Sequence, residues 1–308
     1  MYDSLILSIN AEDVGVDFMA ETSQHFEVTG EHNFRGAHVI SGTLDNLKLS
    51  VNARRLKING SLCKWFLGDN MQTLGRGDTK RAIEKLSDTL HLPISQADVT
   101  RVDIAQNLVM RYETAVYYNH LGSLQYYSRF LQSNSLYYQN SKRALVFYDK
   151  NKEMWVKGGT VPEVYTGRHV LRYEMRYKSR LREQFKQPEV KASLLYYEPF
   201  YIDLVNRWLN EYKSIQKLNT VTLNFDIMRT KRELYILGLA SLVEKSGGEI
   251  EFIQQINEAY QTGRLTKKQA FDMKKAVKEA CHAKYTTVES DVVSELDEKV
   301  KQAARFYR

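Results

Sequence analysis

The sequence predicts an α+β protein: an antiparallel β-sheet core with flanking helices over residues 1–195, followed by an all-helical part over residues 196–308. Three observations predict this class. Apolar and polar residues alternate with a period of two in several runs of the first two-thirds, as in strands with one buried face. Glycine and Asn-Gly punctuate those runs. After about residue 195 the apolar spacing changes to three and four, the period of a helix.

Each element follows from its own pattern. YDSLILSI, residues 2–9, reads as a strand, with weaker strands at 25–30 and 36–42. LKLSVN, 47–52, sets Leu47, Leu49 and Val51 inward and Lys48, Ser50 and Asn52 outward. ARRLKING turns back as its hairpin partner and ends at Asn59–Gly60, with Gly60 expected in a turn. TKRAIEKLSDTLHL, 79–92, has helical spacing and stops before Pro93. VTRVDIAQNLVM (99–110), SKRALVFYD (141–149) and RHVLRYEMRYKS (168–179) alternate as strands. Five helical segments follow, with stops at Gly247–Gly248 and Gly263.

Composition narrows the function classes. The chain has 308 residues, 43% of them apolar, enough to bury a core. No apolar run reaches membrane-spanning length, and a start carrying early acids and no basic residue is not that of a signal peptide. Only Cys63 and Cys281 occur, which points to a reducing, cytoplasmic setting and excludes a cysteine-built zinc site. A formal charge of +7 favours a polyanionic partner. Twenty tyrosines, several in adjacent pairs, suit either base stacking or core packing. No glycine-rich phosphate loop, Ser/His/Asp set or cofactor fingerprint is present.

The chemistry concentrates in the later strands. Arg101, Asp103 and Asn107 share one strand face, and Arg172, Glu174, Arg176 and Lys178 share another. If these strands are neighbours, Asp103 and Glu174 lie side by side. Two close carboxylates repel unless a cation or an arginine intervenes, and hard oxygens suit Mg²⁺ or Mn²⁺. ALVFYDKNK puts Tyr148 at the end of an apolar strand, followed by Asp149, Lys150 and Lys152. A tyrosine is a poor nucleophile unless cationic charge favours its phenolate. Tyrosine, paired acids and basic residues together suit attack on a DNA phosphate. A solvated face of ion pairs is the plainer reading of the same pattern. Tyr165, Tyr173 and Tyr177 are the rival tyrosines, of which Tyr173 and Tyr177 fall on the apolar face opposite Glu174.

Four stretches resemble, in order, the filamentous-phage gene II/X family of replication initiators and the related Rep_trans-type plasmid initiators. They are LKLSVNARRLKINGSLCKWFLGDNM, VTRVDIAQN, ALVFYDKNKEM and VLRYEMRYKSRLREQF. The resemblance implies a metal-dependent nickase that cuts one strand at an origin, keeps the 5′ phosphate on tyrosine, leaves a free 3′ hydroxyl and later rejoins the strand. It implies Tyr148 as nucleophile and Asp103 and Glu174 as metal ligands. Arg101, Lys150, Arg172 and Arg176 become candidates for binding phosphate or supporting the carboxylates. It also implies origin DNA, host helicase and host polymerase as partners. Where some relatives have a second acid four residues after the first, this sequence has Asn107, so the resemblance leaves the third metal ligand open. No paired-histidine motif is present, and His169 is the one histidine near the Glu174 strand. A conjugative relaxase and a non-catalytic origin-binding regulator share these features. The lysine-rich segment LTKKQAFDMKKAVKEA is either a duplex-gripping helix or a solvated face.

Overall fold

A computed structural model describes residues 1–15, 17–218, 229–283 and 290–308. The first half contains β1 (Tyr2–Asn10), α1 (Ala11–Val14), α2 (Phe18–Glu21), β2 (Glu27–Phe34), β3 (Ala37–Leu44), β4 (Leu47–Asn52), β5 (Arg55–Ser61), α3 (Leu62–Leu67) and α4 (Arg76–Leu90). Next come β6 (Asp98–Met110), α5 (Thr114–Tyr118), β7 (Ser128–Gln132), β8 (Ser135–Gln139), β9 (Arg143–Asp149), α6 (Lys150–Val156), β10 (His169–Tyr177) and α7 (Leu181–Phe185). The described residues that follow carry five helices: α8 (Glu198–Ser214), α9 (Lys231–Lys245), α10 (Glu249–Gln261), α11 (Lys267–Cys281) and α12 (Asp291–Phe306). The expected α+β class, with a helical C-terminal region, is what the chain forms.

The ten strands make one sheet in the order β2-β3-β4-β5-β1-β6-β10-β9-β8-β7. Every neighbouring pair is antiparallel. β1 and β6 lie at the centre. Each is followed by four strands that run back as a meander, the last of which pairs with the first. The sheet is therefore two five-stranded halves of like topology. The hairpin β7–β8 has no counterpart in the sequence reading, because its strands are short and its outer strand is largely polar. The β4–β5 turn is Ala53–Arg54, held by Asn52, whose side-chain oxygen accepts from the backbone of Arg54 and Arg55 at 2.9 and 2.8 Å. Gly60 thus lies inside β5 rather than in a turn. A Cβ there would sit 2.9 Å from the Asn46 carbonyl and from the Leu47 side chain.

One sheet face carries the main core. Leu171, Tyr173, Met175 and Tyr177 alternate along β10 and are fully buried. Phe147 stacks on Tyr173 at 4.5 Å, and Tyr173 stacks on Trp208 of α8 at 4.7 Å. Such pairs contribute about 0.5–1.5 kcal/mol each beyond their buried area. The Tyr173 hydroxyl donates to the Trp208 carbonyl at 3.1 Å.

The helical region divides in two. Leu204, Val205 and Trp208 of α8 and Leu296, Val300 and Ala304 of α12 belong to the main core. Val243, Ile256, Ala270 and Val277 of α9–α11 form a separate small core. The boundary expected at residue 195 therefore falls just before helices that complete the sheet's own core. The sheet's apolar face needs a covering layer, and the apolar stripes of α8 and α12 supply part of it. Polar ties add to this docking: the Tyr212 hydroxyl donates to Asp297 at 2.6 Å, and the hydroxyls of Tyr307 and Thr73 lie 2.6 Å apart. Among the described residues no helix is long and apolar enough to cross a membrane.

Candidate active site

The site lies on the sheet face opposite the main aromatic core. β10 sits between β6 and β9, and directly opposite residues of antiparallel strands share a face. Arg172 is opposite Asn107 on one side and Tyr148 on the other. Glu174 is opposite Ala105 and Val146, and Arg176 is opposite Asp103 and Ala144. Tyr148, Arg172, Glu174, Arg176 and Asp103 therefore share one face, with Asp103 diagonal to Glu174. The side chains of Ala105, Ala144 and Val146 are small and leave room above the sheet. A cavity of about 720 Å³ opens there, lined by Tyr148, Asp103, Glu174, Arg101, Arg176 and Asp3 among others.

Each carboxylate is held by an arginine two residues away on its own strand. Arg101 donates to both oxygens of Asp103, at 2.9 and 2.6 Å. Arg176 donates to both oxygens of Glu174, at 3.1 Å each. Asp103 is 1% exposed and Glu174 3%, so both charges stand in a poorly solvated place. Burial pushes the Asp103 carboxyl up to about 7, with the Glu174 charge adding and Arg101 opposing.

Lys150 and Arg172 lie beneath this surface, both fully buried. Arg172 pairs with Asp3 at 2.7 Å and donates to the Asn70 carbonyl and to Asn107 Oδ1 at 3.0 Å each. Burial works to lower its pKa, but the charges of Tyr148, Asp3 and Glu174 outweigh it and raise the pKa. Lys150 Nζ donates to Asn70 Oδ1 at 2.8 Å and to Glu153 at 2.7 Å. Burial lowers its pKa, and Arg172 lowers it further. Of the four basic residues picked from sequence, Arg101 and Arg176 line the cavity, while Arg172 and Lys150 brace its floor.

Tyr148 is half-buried at the cavity wall. Burial holds its hydroxyl well above the ordinary phenol range, and the nearby Arg172 charge is the first influence opposing this. Asp149, its neighbour, faces a different task. One oxygen accepts from the Lys152 backbone at 3.0 Å and caps α6, while the other accepts from Thr114 at 3.2 Å.

The rival tyrosines are elsewhere. Tyr173 and Tyr177 are in the aromatic core, and Tyr165 lines a different cavity with Thr73 and Tyr307. His169 has the odd parity of Leu171, and so faces away from Glu174. Asn107 is engaged through both ends of its amide, donating to the Met71 carbonyl at 2.6 Å and accepting from Arg172. Sequence reasoning missed Asp3. Its one signal was a lone acid near the start of the strand YDSLILSIN. The Ser61 hydroxyl donates to it at 2.6 Å. Burial works to raise the Asp3 pKa, but Arg172 and its other partners bring the net value below the ordinary one.

Two desolvated, mutually repelling carboxylates are hard donors of the kind Mg²⁺ and Mn²⁺ take. Those ions commonly use one or two carboxylates and complete their shell with water and substrate phosphate. Among the described residues no group of three or more His, Cys, Asp or Glu is gathered for a metal. Asp103 and Glu174 are thus two hard donors that would suit a two-carboxylate site, each held in this structure by an arginine.

Residues 1–211 match the family described as the N-terminal part of the phage gene II replication-associated protein, and the chain belongs to it. It is thus of the filamentous-phage replication-initiator kind, which supports a role in starting rolling-circle replication. The match runs into α8, in keeping with a core that does not stop at residue 195. No curated protein matches the chain.

Proposed function

We propose that the protein starts rolling-circle replication as a tyrosine nickase that cuts and rejoins one DNA strand at an origin. The observation that carries the reading is the shared register of Tyr148, Glu174 and Asp103 on adjacent strands facing one cavity. The Tyr148 oxygen attacks the scissile phosphorus, and its proton passes to water in the cavity. The bond from phosphorus to the 3′ oxygen breaks, and that oxygen takes up a proton to become the free 3′ hydroxyl. The 5′ phosphate stays on Tyr148. The reverse attack by a 3′ hydroxyl rejoins a strand and frees the tyrosine.

Arg101 and Arg176 turn from their carboxylates to the phosphate, which the guanidinium fork suits in charge and shape. Arg172 favours the phenolate from below, and with Lys150 it keeps the floor rigid. Bound by Asp103 and Glu174, a Mg²⁺ or Mn²⁺ ion would neutralise and orient the phosphate. In this reading the protein works in the cytoplasm of a bacterial host, alongside the host helicase and polymerase that extend the 3′ end.

The test uses a supercoiled plasmid carrying the origin, with Mg²⁺ or Mn²⁺. Wild type should yield nicked circles and a protein–DNA adduct that survives detergent, and Tyr148→Phe should yield neither. Equal adduct from the variant would move the nucleophile to another tyrosine. Tight origin binding without cleavage by wild type would make the protein a regulator.

A further inference from the structure

The α9–α11 unit has its own small core and takes no part in the cavity of Tyr148. Its charges are segregated. α10 carries Glu249, Glu251 and Glu258 and no lysine or arginine. α11 carries Lys267, Lys268, Lys274, Lys275 and Lys278 against Asp272 and Glu279. At about 100° per residue, the five lysines and Phe271 fall within an arc of about 120°. Asp272 and Glu279 project just outside it, and the buried Ala270, Val277 and Ala280 lie on the other side of the helix.

Among the described residues none of the five lysines is in an ion pair, whereas Glu279 on the flank pairs with Arg232 of α9. A merely soluble surface intersperses its charges. This one separates them, although α10 and α11 pack together through Ile256, Ala270 and Val277. Lys267 and Lys268 also occupy the first turn of α11, just after the Thr266 N-cap. Positive charge there opposes the helix dipole, an unfavourable placement for the helix alone and thus a cost to it. An anion resting on that turn would reverse the cost. Phe271, 66% exposed, stands within the arc as an apolar surface. From Lys267 to Lys278 the stripe is about 16 Å long at 1.5 Å per residue. A helix presenting such a stripe suits the phosphates that flank a major groove.

We propose that the α11 face of Lys267, Lys274 and Lys278, with Lys268, Lys275 and Phe271, is a second DNA site that grips duplex beside the nick. It rests on the replication reading for its partner but not on Tyr148 for its chemistry. The test compares full-length wild type with a Lys267→Gln/Lys274→Gln/Lys278→Gln variant and with the corresponding triple Lys→Arg variant. Each is titrated with a labelled duplex and a labelled single strand across a range of salt. The glutamine variant should bind duplex at least tenfold more weakly at low salt. Its plot of log affinity against log salt should be shallower by about 2 to 3, near 0.9 for each phosphate no longer neutralised. The arginine variant should keep the wild-type slope, and cleavage of a single-stranded oligonucleotide should be unchanged in all three. An unaltered duplex slope overturns the proposal, and equal weakening on the single strand overturns the assignment to duplex. Absence of cleavage in wild type would sink the nickase reading while leaving the slope comparison valid.

Discussion

Arg172→Met should destabilise the fold far more than an average substitution, and Asp3→Asn should undo much of that loss. Arg172 is fully buried, pairs with Asp3 at 2.7 Å and donates to Asn70 and Asn107. Removing the guanidinium leaves Asp3, itself 4% exposed, without its ion-pair partner, with Ser61 as its remaining hydrogen-bond partner and Lys150 as the other cation that favours its charge. Breaking one side of a buried pair costs about 3–5 kcal/mol. The Asp3→Asn/Arg172→Met double variant sets an amide beside a thioether and no longer buries a lone charge. It should therefore lie closer to wild type than Arg172→Met does. The coupling energy of the cycle should be about 2–3 kcal/mol, within the range seen for contacting residues. Urea unfolding of the four proteins at pH 7 measures it directly. Additive effects, or a loss below about 1 kcal/mol for Arg172→Met, would refute a buried charge pair as the brace of this floor. The double variant also separates stability from chemistry. With Arg172 gone, the charge that opposes protonation of Tyr148 is lost, so adduct formation at pH 7 should stay depressed even where folding is restored.

Three further outcomes follow from the same geometry. Asp149→Ala removes the α6 cap and should cost about 1 kcal/mol in denaturant, whereas Asp149→Asn keeps the cap and should preserve both stability and nicking; loss of nicking with Asn would make Asp149 a catalytic group. Asp103 has a folded pKa of about 7, above its ordinary value of 3.8, so the folded chain holds that proton more tightly than the unfolded one. Its contribution to stability is complete below about pH 4 and is lost as pH rises through 7. Thermal melts should therefore show less decline over that range in Asp103→Asn than in wild type. Added Mg²⁺ should raise the wild-type melting temperature at pH 8 and leave an Asp103→Asn/Glu174→Gln variant unmoved. An equal shift in both would place any bound ion elsewhere.

Strand parity was readable from the one-dimensional pattern because side chains alternate whatever the sheet's order. It was enough to set Glu174 between Arg172 and Arg176, to put Asp103 with Arg101, and to send Tyr173 and Tyr177 to the other face. The change to helical period near residue 195 was equally legible. The pattern says which face a residue takes, and says nothing of which strand lies beside it. The tertiary structure alone set β10 between β6 and β9, and so brought Tyr148, Glu174 and Asp103 to one cavity. It alone brought Asp3, on the first strand of the chain, to Arg172 on the last. It also separated four basic residues that look alike in sequence into two at the cavity and two beneath it. Burial depends on what packs above a residue, and for Lys150 and Arg172 that cover includes the Asn70 segment. The same reason explains α8 and α12: a helical stripe shows that a helix has a face to bury, and only the fold shows that this face covers the sheet.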